Sequence, residues 1–222
     1  MAAPAPPQRT RHERFYFPDG NLILVVENTL YNIYRYILQR ESEYFAATLS
    51  LPQDPLCCEG VSDEKALPLP AVRRKDFDAF LTVLFPPDFR RIGELTVNEW
   101  ASVLQLSSGL WECAAIRDLA VEKLSKLASS VDRIVLARKY GIHQWLFPAY
   151  KDLCTRRRCL TKEEGSQLGM DDVITISQIR QWKTAHPTHL VDCRVRRRLL
   201  QQELSDTENS GSDSDPVDAF MI

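Results

Sequence analysis

The stretch Phe17-Pro-Asp-Gly-Asn-Leu-Ile-Leu-Val-Val-Glu-Asn-Thr-Leu-Tyr-Asn-Ile-Tyr-Arg-Tyr-Ile-Leu-Gln-Arg-Glu-Ser-Glu-Tyr-Phe45 decides the architecture. Pro18-Asp19-Gly20 is a turn, because proline presets its φ and glycine and aspartate tolerate the geometry of a reversal. Asn21 to Val26 is a nearly continuous apolar run and predicts a buried strand. Glu27-Asn28 is too short for anything but a tight turn, so Thr29 to Ile33 returns as the second strand of a hairpin. Directly behind it, Tyr34 to Glu41 predicts a helix with Ile37 and Leu38 on one face. Ser42 then caps a further helical turn that carries Tyr44, Phe45 and Leu49.

Working outward, residues 1–13 are rich in proline and arginine and predict a disordered start, with order beginning at Arg14. Ser50 to Ala66 holds prolines, a glycine and four acidic residues and predicts a solvated loop. Leu67-Pro-Leu-Pro70 is a short edge strand, since proline cannot donate to a central ladder. From Asp76 the pattern turns helical, with Phe77, Phe80, Leu81 and Leu84 in one stripe until Pro86-Pro87 stops it. Thr96-Val-Asn-Glu99 and Thr161-Lys-Glu-Glu164 are capping boxes. Ile116, Leu119, Ala120, Leu124 and Leu127 form a longer stripe. Val131, Ile134 and Val135 line a helix that ends at Gly141. Trp145, Leu146, Ala149 and Leu153 continue the series, and Val173, Ile176 and Ile179 line the next helix. The expected fold class is α+β: a small, mostly three-stranded sheet on a helical cluster over residues 14–127, then an all-helical extension over 128–185. A basic helical segment, 186–204, and an acidic disordered tail, 205–222, complete the organisation.

The totals narrow the function. Lys plus Arg number 28 and Asp plus Glu 30, a net charge of −2 that favours neither a nucleic-acid binder nor an acidic-surface protein. No apolar run reaches the roughly 18 residues of a membrane span. The opening Met1 to Arg9 lacks the apolar core of a secretory signal, which predicts a chain kept inside the cell, cytoplasmic or nuclear. The six cysteines include no Cys-x-x-Cys pair, so reduced thiols are expected.

The order of these pieces resembles a BTB/POZ domain. Phe17 to Phe45 looks like its opening hairpin, first helix and Ser-x-Tyr-Phe turn. Leu67-Pro-Leu-Pro70 looks like the third strand, Asp76 to Phe85 like the helix after it, and Trp100 to Leu127 like the closing helical hairpin. Leu136 to Tyr150 and Leu160 to Gly169 are similar to the helical extension of fungal-type BTB proteins, so the likeness runs from Arg14 to Trp182. It implies a non-enzymatic module that forms homodimers or heterodimers and recruits protein partners, with no cofactor. Phe15, Tyr16, Tyr36, Phe77 and Asp78 fall where a partner surface is implied. The chain departs from the family pattern at Asn21, where an Asp is common, and at Tyr34, where a His is common. The Asp/His polar pair cannot form there, and these two positions must be satisfied differently. Phe77-Asp78-Ala79 stands where cullin-recruiting members often show hydrophobic-x-Glu, which counts against a cullin scaffold as partner.

Other chemistries have weaker signals. His143 beside Trp145 could be a general base, but no nucleophile or orienting group accompanies it, and a packed helix-start histidine is the favoured reading. His186, His189 and Cys193 could offer zinc ligands, but Pro187 interrupts the helix and a closed fourth ligand is missing. Arg156 to Arg158 and Arg194 to Arg198 could form a basic patch, without the alternating aromatics of a stacking platform. Ser205, Ser210 and Ser212 each have an acidic residue three positions on, a pattern that suits an acid-directed kinase. Phosphates there could engage the arginines upstream, and an inert solubilising tail is the equal alternative. Three rival functions remain at this level: a transcription-linked regulator using the basic segment, a cullin-type ligase adaptor, and an enzyme with an unrecognised site.

Overall fold

The computed structural model describes residues 9–51, 59–86, 95–185, 191–192 and 194–199. Two units divide the chain, residues 1–127 and 128–222. The fold is α+β.

The first unit begins with β1 (Thr10–Tyr16), followed by the hairpin strands β2 (Leu22–Val26) and β3 (Thr29–Ile33). Helices α1 (Arg35–Glu41) and α2 (Glu43–Ser50) precede the two-residue strand β4 (Leu67–Pro68). Then come α3 (Arg74–Leu84), α4 (Val97–Gln105), a π-helical turn at Leu106–Leu110 and α5 (Ala114–Leu127). The sheet has four strands in the order β1-β3-β2-β4, one more than expected. β2 and β3 are antiparallel with Leu22 opposite Ile33 and Val26 opposite Thr29. β1 lies parallel to β3 on one side and β4 parallel to β2 on the other. All ten residues of the hairpin strands are buried, as the apolar run predicts.

The extra strand corrects the expected disordered start, because Thr10 to Glu13 belong to β1. Beside the backbone pairing with β3, the side-chain contacts that hold them are polar and distant in sequence. Arg11 makes two hydrogen bonds to Asp63, at 2.9 and 2.7 Å, and Arg9 donates to the Asp63 carbonyl. His12 has a second task. The pairing of β1 with β3 shifts register between Arg11 and Tyr16, which strands the N–H groups of Arg14 and Phe15. Nδ1 of His12 accepts from both, at 3.1 and 3.0 Å, while its ring stacks on Tyr31 and its Nε2 sits 3.2 Å from Asp78.

The core of this unit is aromatic. Trp111 packs against Phe45, Phe77 and Phe80, and Phe77 stands edge-on to Tyr31. Ser42 joins this core to the α1–α2 junction. Its hydroxyl accepts from the Phe45 N–H, as the cap predicts, and donates to the Trp111 carbonyl at 2.5 Å. Thr96 and Glu99 form the expected capping box on α4. Leu127 is a correction. The helical stripe includes it, but it sits exposed at the end of α5.

The two departures from the family pattern are both satisfied locally. The Asn21 side chain accepts from the Arg35 N–H at 2.8 Å and so caps α1, whose own N-cap residue offers no side-chain bond. Tyr34 donates its hydroxyl to Asp19 at 2.8 Å and stacks on Phe17. Gly20 sits between them under tight constraint. A Cβ there would lie 2.5 Å from the Asn32 side chain and 2.8 Å from its backbone.

In the second unit α6 (Ser130–Tyr140) ends on Gly141 in the left-handed conformation, φ 67°. A 3₁₀ turn at His143–Trp145 leads into α7 (Leu146–Thr155), then α8 (Lys162–Leu168) and α9 (Met170–Ala185). Residues 191–192 and 194–199 are also helical, with Val191 and Val195 buried. Ser129 and Asp132 cap α6 with a box absent from the sequence reading, while Thr161 and Glu164 supply the expected one on α8. The centre is a buried polar knot. Asp172 receives both Nη atoms of Arg138, at 2.5 and 2.7 Å, and the Tyr150 hydroxyl at 2.5 Å, which ties α6, α7 and α9 together.

Candidate interaction surface

Among the described residues of this unit, the α1–α2 pair and the residue after it present the two most exposed large apolar side chains. Tyr36 on α1 is 68% exposed and Leu51, just past α2, is 65% exposed; Tyr44 on α2 is exposed as well. The Arg35 guanidinium donates to the Leu49 carbonyl, which brings the start of α1 to the end of α2. Tyr36 and Leu51, each within two residues of that bond, therefore share one end of the pair. A phenol, with an apolar body and a polar tip, is a side chain that anchors protein interfaces at low entropic cost.

The other residues of the implied partner surface are placed differently. Phe15 is 2% exposed and Phe77 is fully buried, so both are core and not contact residues. The physical reason is the fourth strand. β1 lies against β3 and carries Phe15 inward, while Phe77 fills the gap between Tyr31 and Trp111. Tyr16 is half-buried and donates its hydroxyl to Asp63 at 2.7 Å. Asp78 is held by the Tyr31 hydroxyl at 2.7 Å, by His12 and by Arg74 at 3.7 Å. Burial first and the bond to Asp78 second push the Tyr31 phenol well above its ordinary range, so it stays a neutral donor. Of the five residues, Tyr36 alone presents most of its side chain to water.

The reactive side chains have structural work. His12 is a bulge filler and His143 starts the 3₁₀ turn after α6. Burial raises the thiols of Cys113 and Cys154 to about 11, which makes them poor nucleophiles; Cys159 is exposed. Among the described residues no group of three His, Cys, Asp or Glu is placed to hold a metal, and no helix is long and apolar enough to cross a membrane. His186, His189 and Cys193 lie outside the described residues, as do Ser205, Ser210 and Ser212.

The two arginine runs are not equivalent. Arg156 and Arg158 converge on Glu164, whose carboxyl is held down to about 2, chiefly by the Arg156 hydrogen bond and then by the Thr161 N–H. A depressed carboxylate stabilises the fold above its unfolded pKa and loses that contribution as pH falls toward the folded one. Acid unfolding of the second unit should therefore steepen between about pH 4.5 and 2. Glu164→Gln should flatten that limb in a circular-dichroism titration, and an unchanged profile would refute the assignment. In the second run, Arg194 stacks on Trp182 at 4.3 Å and Arg196 on Phe147 at 4.9 Å. These contacts pin the segment to the unit through cation–π attraction.

The sequence matches none of the family models and none of the curated proteins with which it was compared.

Proposed function

We propose that the protein is a BTB-type protein-interaction module whose first unit associates with a second copy through the exposed end of the α1–α2 pair. The observation that carries this reading is the exposure of Tyr36 and of Leu51 on a helix pair otherwise anchored by the buried Ser42 and Phe45. The order of hairpin, helix pair, edge strand and closing helices supports the family likeness. A self-associating patch brings identical residues together about a two-fold axis, so one aromatic anchor counts twice. The same surface could dock another protein of matching shape, which is how such a module recruits partners.

Sedimentation velocity on the full chain tests this. A dimer of micromolar affinity is the predominant species at on the order of 100 µM. Tyr36→Glu with Leu51→Ser should shift the chain to monomer with an unchanged circular-dichroism spectrum. A wild-type chain that stays monomeric at that concentration, or a variant that dimerises equally well, overturns the proposal.

A further inference from the structure

The second unit contains a cleft of about 180 Å³ between α9 and the helical residues 194–198, lined by Thr175, Gln178, Ile179, Arg194, Arg197 and Arg198. Arg194, Arg197 and Arg198 fall at i, i+3 and i+4 and so line one side of a single helical turn. Among the described residues the lining thus holds three guanidiniums, two neutral hydrogen-bonding side chains and Ile179, with no carboxylate. This chemistry selects a compact, multiply charged anion with several acceptor oxygens. Guanidinium forks match phosphate oxygens in pairs, and each such contact is stronger than a neutral hydrogen bond. Arg194 is already oriented by its stack on Trp182, so less freedom is lost when it binds.

We propose that this cleft seats a phosphorylated serine of the chain's own acidic C-terminal segment. Three facts select that occupant. Residues 203–222 contain six acidic residues and no Lys or Arg, so their charge complements the cleft. Ser205, Ser210 and Ser212 each precede an acidic residue by three positions: Glu208, Asp213 and Asp215. The reach is short as well. From Leu199 to Ser205 an extended chain spans at most about 20 Å, while Arg194 to Arg198 covers only about 6 Å of helix. Tethering that close gives a millimolar-range effective concentration, so a weak intramolecular contact is populated. A phosphoryl group adds about −1.5 to −2 charges and three acceptor oxygens, which makes modification the switch. The inference stands apart from the self-association of the first unit.

Amide hydrogen exchange on the full chain tests it, before and after treatment with an acid-directed serine kinase, with modification confirmed by mass. Phosphorylation should slow exchange several-fold at residues 175–179 and 194–199, independently of protein concentration. The protection should vanish at about 1 M salt, where charges are screened beyond about 3 Å. It should also vanish in Arg197→Gln/Arg198→Gln, which keeps the Arg194 stack on Trp182. Serines left bare by the kinase overturn the proposal, as do exchange rates unchanged by phosphate and protection that survives the double substitution. Protection that grows with protein concentration also overturns it, since that would place the phosphate in a second copy.

Discussion

Phe77→Ala is expected to lower the stability of the first unit by about 3–5 kcal/mol, the range for removing a fully buried aromatic ring. The ring contributes more than area. It stands edge-on to Tyr31 at 4.7 Å and to Trp111 at 5.7 Å, and Trp111 in turn carries Phe45 and Phe80. Deleting it opens a cavity at the junction of the hairpin, α2 and α3, where the neighbouring rings cannot collapse without losing one another. Hydrogen exchange by mass spectrometry reads the effect segment by segment. Strands β2 and β3 should exchange faster by the factor the energy implies, while α6 to α9 stay unchanged. This separates core from surface at a position where the BTB/POZ resemblance implies a partner contact. Tyr36→Glu should do the reverse, with association lost and β2 and β3 unaffected. A Phe77→Ala protein with wild-type exchange and impaired association would return Phe77 to the surface and refute the aromatic core.

What was legible in the sequence was local. The hairpin, the caps at Ser42, Thr96 and Thr161 and the left-handed Gly141 each depend on residues within a few positions, and each stands where the pattern puts it. Ser129 and Asp132 obey the same geometry. A box search that accepts Asp at the third position as well as Glu would have found them. What could not be read depends on partners far along the chain. Residues 10–13 look like a polar leader, and pairing with β3 together with the contacts to Asp63, Tyr31 and Asp78, none of them near in sequence, makes them a strand. That same strand buries Phe15. An aromatic beside a predicted strand reads equally well as contact or core until the neighbouring strand is known. Tyr36 and Leu51 show the converse. Helical periodicity marks what faces inward, whereas which apolar residues stay in water is set by how α1 and α2 fold against each other. The arginines divide in the same way, since their spacing reveals a shared face but not the Trp182 and Phe147 rings that fix two of them.

Arg138→Met should be the more damaging of two cuts through the polar knot of the second unit, with an expected loss of about 3–5 kcal/mol. The asymmetry follows from exposure. The Asp172 side chain is fully dry, whereas that of Arg138 is 41% exposed. Removing Arg138 leaves a carboxylate in a site water does not reach, with the Tyr150 hydroxyl as its remaining partner in the knot. Burial and the bond to Asp172 push the Tyr150 phenol far above its ordinary range, so it donates a hydrogen bond but supplies no positive charge. Removing the acid instead, as Asp172→Asn, leaves a guanidinium that can turn to solvent and an amide oxygen that still accepts from Tyr150. Its expected cost is about 1–3 kcal/mol. The double change Arg138→Met/Asp172→Leu should recover most of the loss, because buried ion pairs replaced by apolar groups of similar volume are often neutral or better. Thermal unfolding of Arg138→Met, Asp172→Leu and the double variant closes a double-mutant cycle, and a coupling below about 0.5 kcal/mol would mean the knot is not cooperative. A large coupling would identify Asp172 as the point that fixes α6, α7 and α9 in one arrangement. It would then account for an acidic residue kept in the driest part of a helical unit, where leucine would serve packing alone.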